Sequence, residues 1–377
     1  MKSRRSGKKT PTNRESDKYL IPILAKTIDV LDCFRNEEES LNLKEIIERT
    51  HLPHTTAYRI LHTLVARDYL NQTGHLYRLN QLRRRLKFGF ANLSTQISLA
   101  VEIQESLEKA TAAAGVDLIV WDNDRNADRA LSNAEEMAKA RVDIAIEFQL
   151  FEQVAPVIAD IFARARIPVI SIVNPHHSSL YLGVDNYRAG YSAGLALADY
   201  ATKHWGGQVD ALLLLESRPA GRTVQSRLIG VLRGVEGRLG PLGQNSVHHI
   251  DSGGDKATSR KAVEQFVRKR SGSILVAGIN DETAIGAAEA ATKVRGNRDI
   301  AIVGHGGSPE MIEMVADPTS PCIGTVSFHP ELYGPELIAF AFLTLRGKST
   351  TPVHYIEHEL VRKESLASSA LAEHAIC

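Results

Sequence analysis

Hydrophobic positions follow two different patterns along this chain. Between residues 20 and 66, apolar side chains recur at three- and four-residue spacing, which predicts amphipathic helices with one buried face. From residue 84 onwards, short runs of Val, Ile and Leu alternate with stretches of helical length. Such runs are typical of parallel strands buried on both faces, and ten strands and nine helices are predicted there. The chain therefore combines a small helical domain with a larger α/β domain.

The first domain is predicted to contain three helices followed by a β-hairpin. The apolar positions of the first helix run from Ile23 to Phe34, and Asn42 with Glu45 fits a capping box that opens a short second helix. Pro53 suits the first turn of a third helix, and residues 73–75 separate two short β-like segments. This order is typical of a winged helix-turn-helix, whose third helix lies in the major groove of DNA.

The exposed side of the third helix carries groups that would contact DNA. Arg59 can hold a phosphate or contact guanine through two hydrogen bonds, and hydroxyl groups can reach bases or the backbone. The predicted DNA-binding residues, one of them in the hairpin, are Thr55, Thr56, Tyr58, Arg59, His62 and Arg78. The alternative is a three-helix bundle that serves only protein contacts.

Charge distribution favours DNA binding over that alternative. The net charge is only +1, but residues 1–88 hold 18 Lys and Arg against 10 Asp and Glu, whereas the other 289 residues hold 27 against 34. A basic end joined to an acidic remainder indicates a polyanionic partner for the first part. Residues 1–19 are polar and highly charged, and a disordered basic arm is expected there.

The composition argues against several classes of protein. With 377 residues, the chain can bury two cores without disulfides, and its three scattered Cys predict neither a disulfide framework nor a metal site. No apolar run approaches the roughly 18 residues of a membrane span, and the basic N-terminus lacks the apolar stretch of a secretory signal. A cytoplasmic location without a membrane partner is expected.

The N-terminal segments also resemble a known family. ILAKTIDVLDCF, LNLKEIIERTHLPHTTAYRILHTLVARDYL and YRL are similar to the DNA-binding domain of the IclR family of bacterial regulators over about residues 20–80. The resemblance implies that a domain spanning 20–82 binds double-stranded DNA through the helix near Pro53, usually as a homodimer. A GAF-like effector domain normally follows in that family, and the rest of this chain does not look like one.

The α/β part is too long for one sheet of ordinary size, so two Rossmann-like lobes are predicted. Ligands of such sheets bind beyond the carboxyl ends of the strands. The polar residues that follow the predicted strands are therefore site candidates: Asn92, Asp122, Asp124, Asn174, Asp185, Asn280, Asp281 and His305.

The sequence motifs do not indicate an enzymatic function. The chain has neither a GxxxxGK[ST] phosphate loop nor a GxSxG nucleophile turn. The GHGG segment at 304–307 is interpreted as a tight turn, and the His pairs at 176–177 and 248–249 as surface residues. Asp122 and Asp124 fit an acid/base pair, strand-end caps or ligand contacts equally well. No catalytic residue, metal or cofactor is expected.

The second part resembles the type I periplasmic-binding-protein fold, as in ribose-binding proteins and the effector domain of LacI-family repressors. The supporting segments are RARIPVISIV, LGVDNYRAGYSAG, SRLIGVLRG, LVAGINDETAIGAAEA, IAIVGHGGSPEM and IGTVSFHPELYG. The resemblance implies an effector domain over 84–360 with crossovers near Asp185, His329 and about residue 350. The two lobes would span about 84–184 with 329–350, and about 185–328 with 351–360, before a tail at 361–377.

Some ligand contacts of that family carry over by resemblance. Asp185 in GVDN, Arg227 in SRLIG and Asn280–Asp281 in IND stand at its hinge and ligand positions. The chain departs from the family at Gly306, where an Asp is usual, at Phe328, where a Gln is usual, and at Asn174–Pro175, which replaces an acidic-Arg pair. The predicted ligand-binding residues are Asn92, Asp122, Asp124, Asn174, Asp185, Arg227, Asn280, Asp281 and Phe328, with Phe328, Phe148 or Trp121 as stacking faces.

These features predict a transcription regulator whose operator binding responds to a small polar ligand, a sugar or sugar derivative, held between the lobes. Arg227 is expected to face a solvated cleft, so its removal should leave folding intact. The alternative is a DNA-binding regulator whose lobes have lost ligand binding and serve dimerisation or protein contacts.

Overall fold

The computed structural model describes residues 21–36, 39–80, 86–243, 245–296, 299–348 and 351–366. The chain divides into two compact units between Arg85 and Leu86. The predicted basic arm at 1–19 lies outside the described residues, as does most of the predicted tail.

The first unit contains three helices and a small antiparallel sheet. Its elements are α1 (Pro22–Asp32), β1 (Ser40–Asn42), α2 (Leu43–Thr50), α3 (His54–Ala66), β2 (Leu70–Thr73) and β3 (Leu76–Leu79). The strand order is β1-β3-β2, so the predicted hairpin gains a third strand from the segment before α2. The predicted capping box is confirmed, because Glu45 N donates to Asn42 Oδ1 at 3.1 Å and Asn42 N donates to Glu45 Oε2 at 2.8 Å.

The apolar stripe of α1 is only partly buried. Val30 and Phe34 join the core of this unit with residues of α2 and α3. Ile23, Leu24 and Ile28 are instead 56%, 54% and 49% exposed. The helical periodicity was therefore correct, but half of the stripe has no partner within the residues that the structure describes.

The second unit has two lobes, each built on a six-stranded sheet. The first lobe contains β4 (Lys87–Asn92), β5 (Asp117–Asp122), β6 (Ile144–Phe148), β7 (Val169–Ile172), β8 (Leu180–Gly183) and β14 (Val353–Tyr355). Its helices are α4 (Ser98–Ala114), α5 (Ala127–Lys139), α6 (Ala155–Ala165) and α12 (Pro330–Leu345). The strand order is β14-β8-β7-β6-β4-β5, and every pair is parallel.

The second lobe repeats this plan with one antiparallel edge strand. It contains β9 (Ala211–Glu216), β10 (Val247–Asp251), β11 (Ile274–Gly278), β12 (Ile300–Gly306), β13 (Cys322–Ser327) and β15 (Glu359–Arg362). Its helices are α7 (Asn186–Trp205), α8 (Gly221–Leu239), α9 (Lys256–Arg268), α10 (Asp281–Arg295) and α11 (Pro309–Ala316). The strand order is β10-β9-β11-β12-β13-β15, with β15 antiparallel to β13.

The last crossover lies later in the chain than expected. β14 pairs with β8 through Val353 and Tyr181, so it belongs to the first lobe, whereas β15 pairs with β13 of the second lobe. The assignment of residues 351–360 to the second lobe is therefore wrong for 353–355. Residues 351–360 were assigned to a single lobe, but strand pairing divides them between the two sheets.

Helices α7 and α8 of the second lobe cross at very close range. Two glycines on each helix, four residues apart, allow the backbones to meet. A Cβ atom at Gly190 would lie 1.8 Å from the carbonyl oxygen of Arg227, and one at Gly194 would lie 2.2 Å from that of Val231. Gly230 and Gly234 make the reciprocal approach to α7.

We expect Gly190→Ala to destabilise the second lobe by more than about 2 kcal/mol, because the new methyl group overlaps backbone atoms that cannot rotate away. Gly237→Ala on α8 is the matched control, since its Cβ would meet only the Tyr191 hydroxyl at 3.5 Å. Urea unfolding midpoints would measure both. Equal midpoints for the two variants would show that the helices do not need this close contact.

Candidate functional site

A concave site lies between the two lobes of the second unit and encloses about 850 Å³, counting the part open to solvent. The first lobe and its crossover segments contribute Leu93, Ile97, Leu99, Arg125, Phe148, Leu150, Val173, Tyr181, Val184 and Tyr333. The second lobe contributes Asn186, Ser217, Ala220, Val224, Arg227, Gly253, Gly254, Ile279, Asn280, Asp281, Glu282, His305, Gly306, Ser308 and Phe328. Most polar groups of the cleft therefore belong to the second lobe.

Arg227 lies in the wall of this cleft and is buried, with only 5% of its surface exposed. Its Nε and Nη2 donate to Asn186 Oδ1 at 3.1 and 2.6 Å, and its Nη1 donates to the carbonyl of Ile279. The guanidinium also stacks 4.7 Å from the centroid of the Phe328 ring. The expectation of a solvated side chain is corrected, because Arg227 holds α8, α7 and the end of β11 together.

Burial lowers the pKa of Arg227 to about 10, so the side chain remains a cation near neutral pH. No carboxylate forms an ion pair with Arg227 among the residues that the structure describes; its hydrogen-bond acceptors are a neutral amide and a carbonyl. A buried cation with only neutral partners attracts an acceptor or an anionic group of a ligand.

Asn280 and Asp281 begin α10 at the edge of the cleft. Asn280 caps the helix by accepting from Thr283 N at 3.1 Å, and its Nδ2 donates to Gly254 O at 3.0 Å. Asp281 accepts from Thr325 Oγ1 and Ser308 N, both at 2.6 Å. Burial raises the pKa of Asp281, and these hydrogen bonds oppose the shift. Both predicted residues line the cleft, but their polar atoms are largely occupied by the protein.

The same carboxylate explains why the chain has glycine at position 306. A Cβ atom at Gly306 would lie 3.0 Å from Asp281 Oδ2, at a backbone φ of +143° that other residues rarely adopt. The acidic residue usual there in the resembled family would therefore meet the carboxylate of Asp281.

Three predicted ligand residues of the first lobe lie outside the cleft for local reasons. Asn92 is buried, and its Nδ2 donates to Gln104 Oε1 at 2.8 Å. Asp122 accepts from Thr95 Oγ1 at 3.0 Å, and Asp124 forms an exposed ion pair with Arg129 at 3.0 Å. These carboxylates hold the turn after β5 in place, so the expectation that they face a ligand is corrected.

Asn174 and Asp185 also lie outside the cleft. Asn174 is buried in the loop after β7. Asp185 caps α7 by accepting from Arg188 N at 3.0 Å and lines a separate surface pocket with Tyr187 and Tyr355. Trp121, one of the three proposed stacking faces, donates to Glu136 Oε2 at 2.9 Å outside the cleft.

Other cleft residues were missed or misjudged from sequence. Asn186 directly follows a predicted strand, which was a usable signal, whereas Tyr181 begins that strand, Tyr333 lies within a predicted helix, and neither position gave a signal. His176 was interpreted as a surface residue, but it is buried with its Nε2 2.9 Å from Gln149 Nε2. Within the described ranges, no group of three or more His, Cys, Asp or Glu could hold a metal ion.

Two hydrogen bonds join the lobes at the mouth of the cleft. Arg125 Nη2 of the first lobe donates to Gly253 O of the second at 2.7 Å. Arg222 N at the start of α8 donates to Glu152 Oε2 of the first lobe at 3.2 Å. The lobes are therefore held together around the space in which a ligand would lie.

In the first unit, α3 presents most of the predicted DNA contacts to solvent. Thr55, Tyr58, Arg59 and His62 are exposed, and the rings of Tyr58 and His62 lie 6.4 Å apart. Two further predicted contacts, Thr56 and Arg78, are half-buried. The buried side of α3 carries Ala57, Ile60, Leu61 and Leu64, so the helix has the two faces that a recognition helix needs.

Comparison with known families identifies both units. A model described as IclR helix-turn-helix domain matches residues 23–74, and one described as periplasmic binding protein domain matches residues 88–349. Among curated proteins, no sequence matches this chain. Among the helices that the structure describes, none is long and apolar enough to cross a membrane.

Solved structures confirm the fold of the second unit. One is a periplasmic solute binding protein from Actinobacillus succinogenes with bound D-allose, 18% identical with a TM-score of 0.65, covering 74% of this chain and 98% of that one. A glucose-galactose binding protein from Geobacillus stearothermophilus is 22% identical with a TM-score of 0.64, covering 75% and 99%. A solute binding protein from Bacillus halodurans with bound myo-inositol is 16% identical with a TM-score of 0.65, covering 76% and 97%.

We expect Arg227→Met to destabilise the full chain by about 2–4 kcal/mol, because it leaves the buried acceptors on Asn186 and Ile279 without their charged donor. Arg222→Met is the matched control, since Arg222 is an exposed arginine on the same helix. Urea unfolding of both variants would measure the difference. A loss no larger than that of Arg222→Met would contradict the bracing role of Arg227.

Proposed function

The chain belongs to the family of periplasmic binding protein domains, and we propose that it is a DNA-binding transcription regulator controlled by a small polar ligand. The observation that carries the proposal is the joining, in one chain, of an IclR helix-turn-helix domain to two solute-binding lobes. The ligand is a sugar or sugar derivative held between the lobes. Sugars and polyols bound by similar folds support this class.

The ligand would act by changing the relative stability of lobe arrangements. A ligand that touches both lobes favours the closed arrangement, in which Arg125 and Arg222 make their hydrogen bonds across the mouth of the cleft. If DNA binding also differs between arrangements, the ligand and the operator must change each other's affinity by the same factor. No step of this scheme requires catalysis, and the protein would act in the cytoplasm, where its DNA lies.

We further propose that the regulator works as a homodimer. The exposed apolar side chains of Ile23, Leu24 and Ile28 on α1 support this, because a second copy would remove them from water. Two DNA-binding units would then read two half-sites of one operator.

The DNA-binding part of the proposal predicts an effect of Arg59→Ala. Loss of a guanidinium from the exposed face of α3 should weaken binding to a duplex selected by the full chain from a random library by about 1–3 kcal/mol. Arg164→Ala, on an exposed face of α6 in the second unit, should bind that duplex like the parent. Fluorescence anisotropy titrations would measure both, and unchanged affinity of Arg59→Ala would remove this residue from the interface.

The ligand part predicts saturable stabilisation of the full chain by a sugar or polyol. A ligand at one hundred times its Kd should raise the free energy of unfolding by about 2.7 kcal/mol. Thermal unfolding with D-allose, D-galactose, D-glucose, myo-inositol and allitol would detect it. Stabilisation by none of these would favour the alternative function, in which the lobes serve dimerisation or protein contacts.

A further inference from the structure

His305 stands out in the cleft because one of its ring nitrogens has a partner and the other has none. The side chain lines the cleft at the end of β12 and is only 1% exposed. Its Nδ1 lies 2.7 Å from the carbonyl oxygen of Gly278 on the neighbouring strand β11. A carbonyl oxygen only accepts, so Nδ1 carries the hydrogen and donates it.

The other nitrogen of the same ring is therefore an acceptor. Burial lowers the pKa of His305 to about 3, and the nearby Arg227 cation acts in the same direction, so the ring is neutral near pH 7. In the neutral ring that donates from Nδ1, Nε2 carries a lone pair. Nε2 is buried without a hydrogen-bond partner among the described residues, which is a costly arrangement unless a ligand supplies a donor.

The side chains around His305 restrict where that donor can come from. The Phe328 ring lies 6.4 Å from the imidazole, and the guanidinium of Arg227, which only donates hydrogen bonds, stacks on that Phe328 ring. The first lobe lines the same cleft mostly with apolar side chains, Leu93, Ile97 and Leu99 among them, and adds the hydroxyl groups of Tyr181 and Tyr333. No donor among the described residues pairs with Nε2, so a hydroxyl group of a ligand can supply the hydrogen.

We propose that His305 determines ligand specificity: its Nε2 accepts a hydrogen bond from a hydroxyl group of the ligand, whose opposite face lies against the apolar side chains of the first lobe. This inference rests on the proposed function, because it assumes an occupant of the cleft. It describes a sugar derivative with its hydroxyl groups gathered on one side, and Arg227 offers a donor to an acceptor on that same side. A hydroxyl group turned toward Leu93, Ile97 or Leu99 would stay unpaired.

Three substitutions separate this role from a purely structural one. In His305→Gln, the amide oxygen can occupy the place of Nε2 and keep the acceptor, while the donor to Gly278 is lost. In His305→Asn, the amide nitrogen can replace Nδ1 and keep that donor, while the acceptor is lost. His305→Phe keeps the ring and loses both.

Calorimetry on the full chain would compare the variants using whichever of D-galactose, its 6-deoxy derivative D-fucose, and myo-inositol binds the parent most tightly. We expect His305→Asn and His305→Phe to weaken binding at least about tenfold, and His305→Gln to stay within about threefold of the parent. The reverse order, with Asn tolerated and Gln not, would overturn the proposal and assign His305 to the Gly278 contact alone. Equal affinity of all three variants and the parent would overturn it as well.

A measurement without any ligand distinguishes failure of this inference from failure of the proposed function. Long-range proton–nitrogen correlation spectra of histidine-labelled protein, with His305 identified by its loss in His305→Gln, report which nitrogen carries hydrogen. We expect the Nδ1-protonated neutral form from pH 6 to 8. If none of the three sugars binds, the sugar assignment fails while this spectrum still decides whether Nε2 is an acceptor. A hydrogen on Nε2 would overturn the inference whatever the sugars do.

Discussion

The close crossing of α7 and α8 is the contact on which the cleft depends. Gly190 lies against the carbonyl of Arg227, so a backbone contact fixes where the Arg227 side chain begins. One helical turn before Gly190, Asn186 offers the amide oxygen that receives the guanidinium. Any larger residue at the crossing would separate the helices and move the cation away from its acceptors. The glycines spaced four residues apart on α7 and α8 thus position the guanidinium of Arg227 against the amide oxygen of Asn186.

The second consequence of this arrangement is an uneven distribution of polar groups. The second lobe buries a cation, a neutral imidazole and a hydrogen-bonded carboxylate in one wall. The first lobe lines the cleft with leucine and isoleucine side chains. Its Arg125 donates a hydrogen bond to the carbonyl of Gly253 at the mouth of the cleft. The second lobe therefore supplies most of the polar groups of the cleft, and the first lobe supplies most of its apolar surface together with two tyrosine hydroxyl groups.

Sequence reasoning succeeded where the signal was local and failed where long-range contacts decided. Ten of the twelve strands that the structure describes in the second unit, β4 to β13, followed from runs of Val, Ile and Leu, because parallel strands covered on both faces must be apolar throughout. Polar residues at strand ends predicted the site less well. Asp122 and Asp185 follow strands, but their carboxylates accept hydrogen bonds from a turn and from a helix N-terminus and do not line the cleft. The segment 353–362 could not be divided between two sheets from its own residues, because pairing with β8 or β13 is a property of the whole fold.

The uneven walls also determine how closure of the lobes can be linked to a ligand. Asn186, Arg227 and His305 all belong to the second lobe, so this lobe can form hydrogen bonds with a ligand before the lobes close. What the first lobe adds is removal of apolar surface from water, at about 25 cal/mol per Å², together with the hydrogen bonds at the mouth. A ligand that is polar on its exposed side would oppose this step, because its hydroxyl groups would lose water without gaining partners. Under the proposed function, affinity for the second lobe alone would therefore not drive regulation, and the contacts of the ligand with the first lobe, Leu93, Ile97 and Leu99 among them, would distinguish the closed arrangement from the open one.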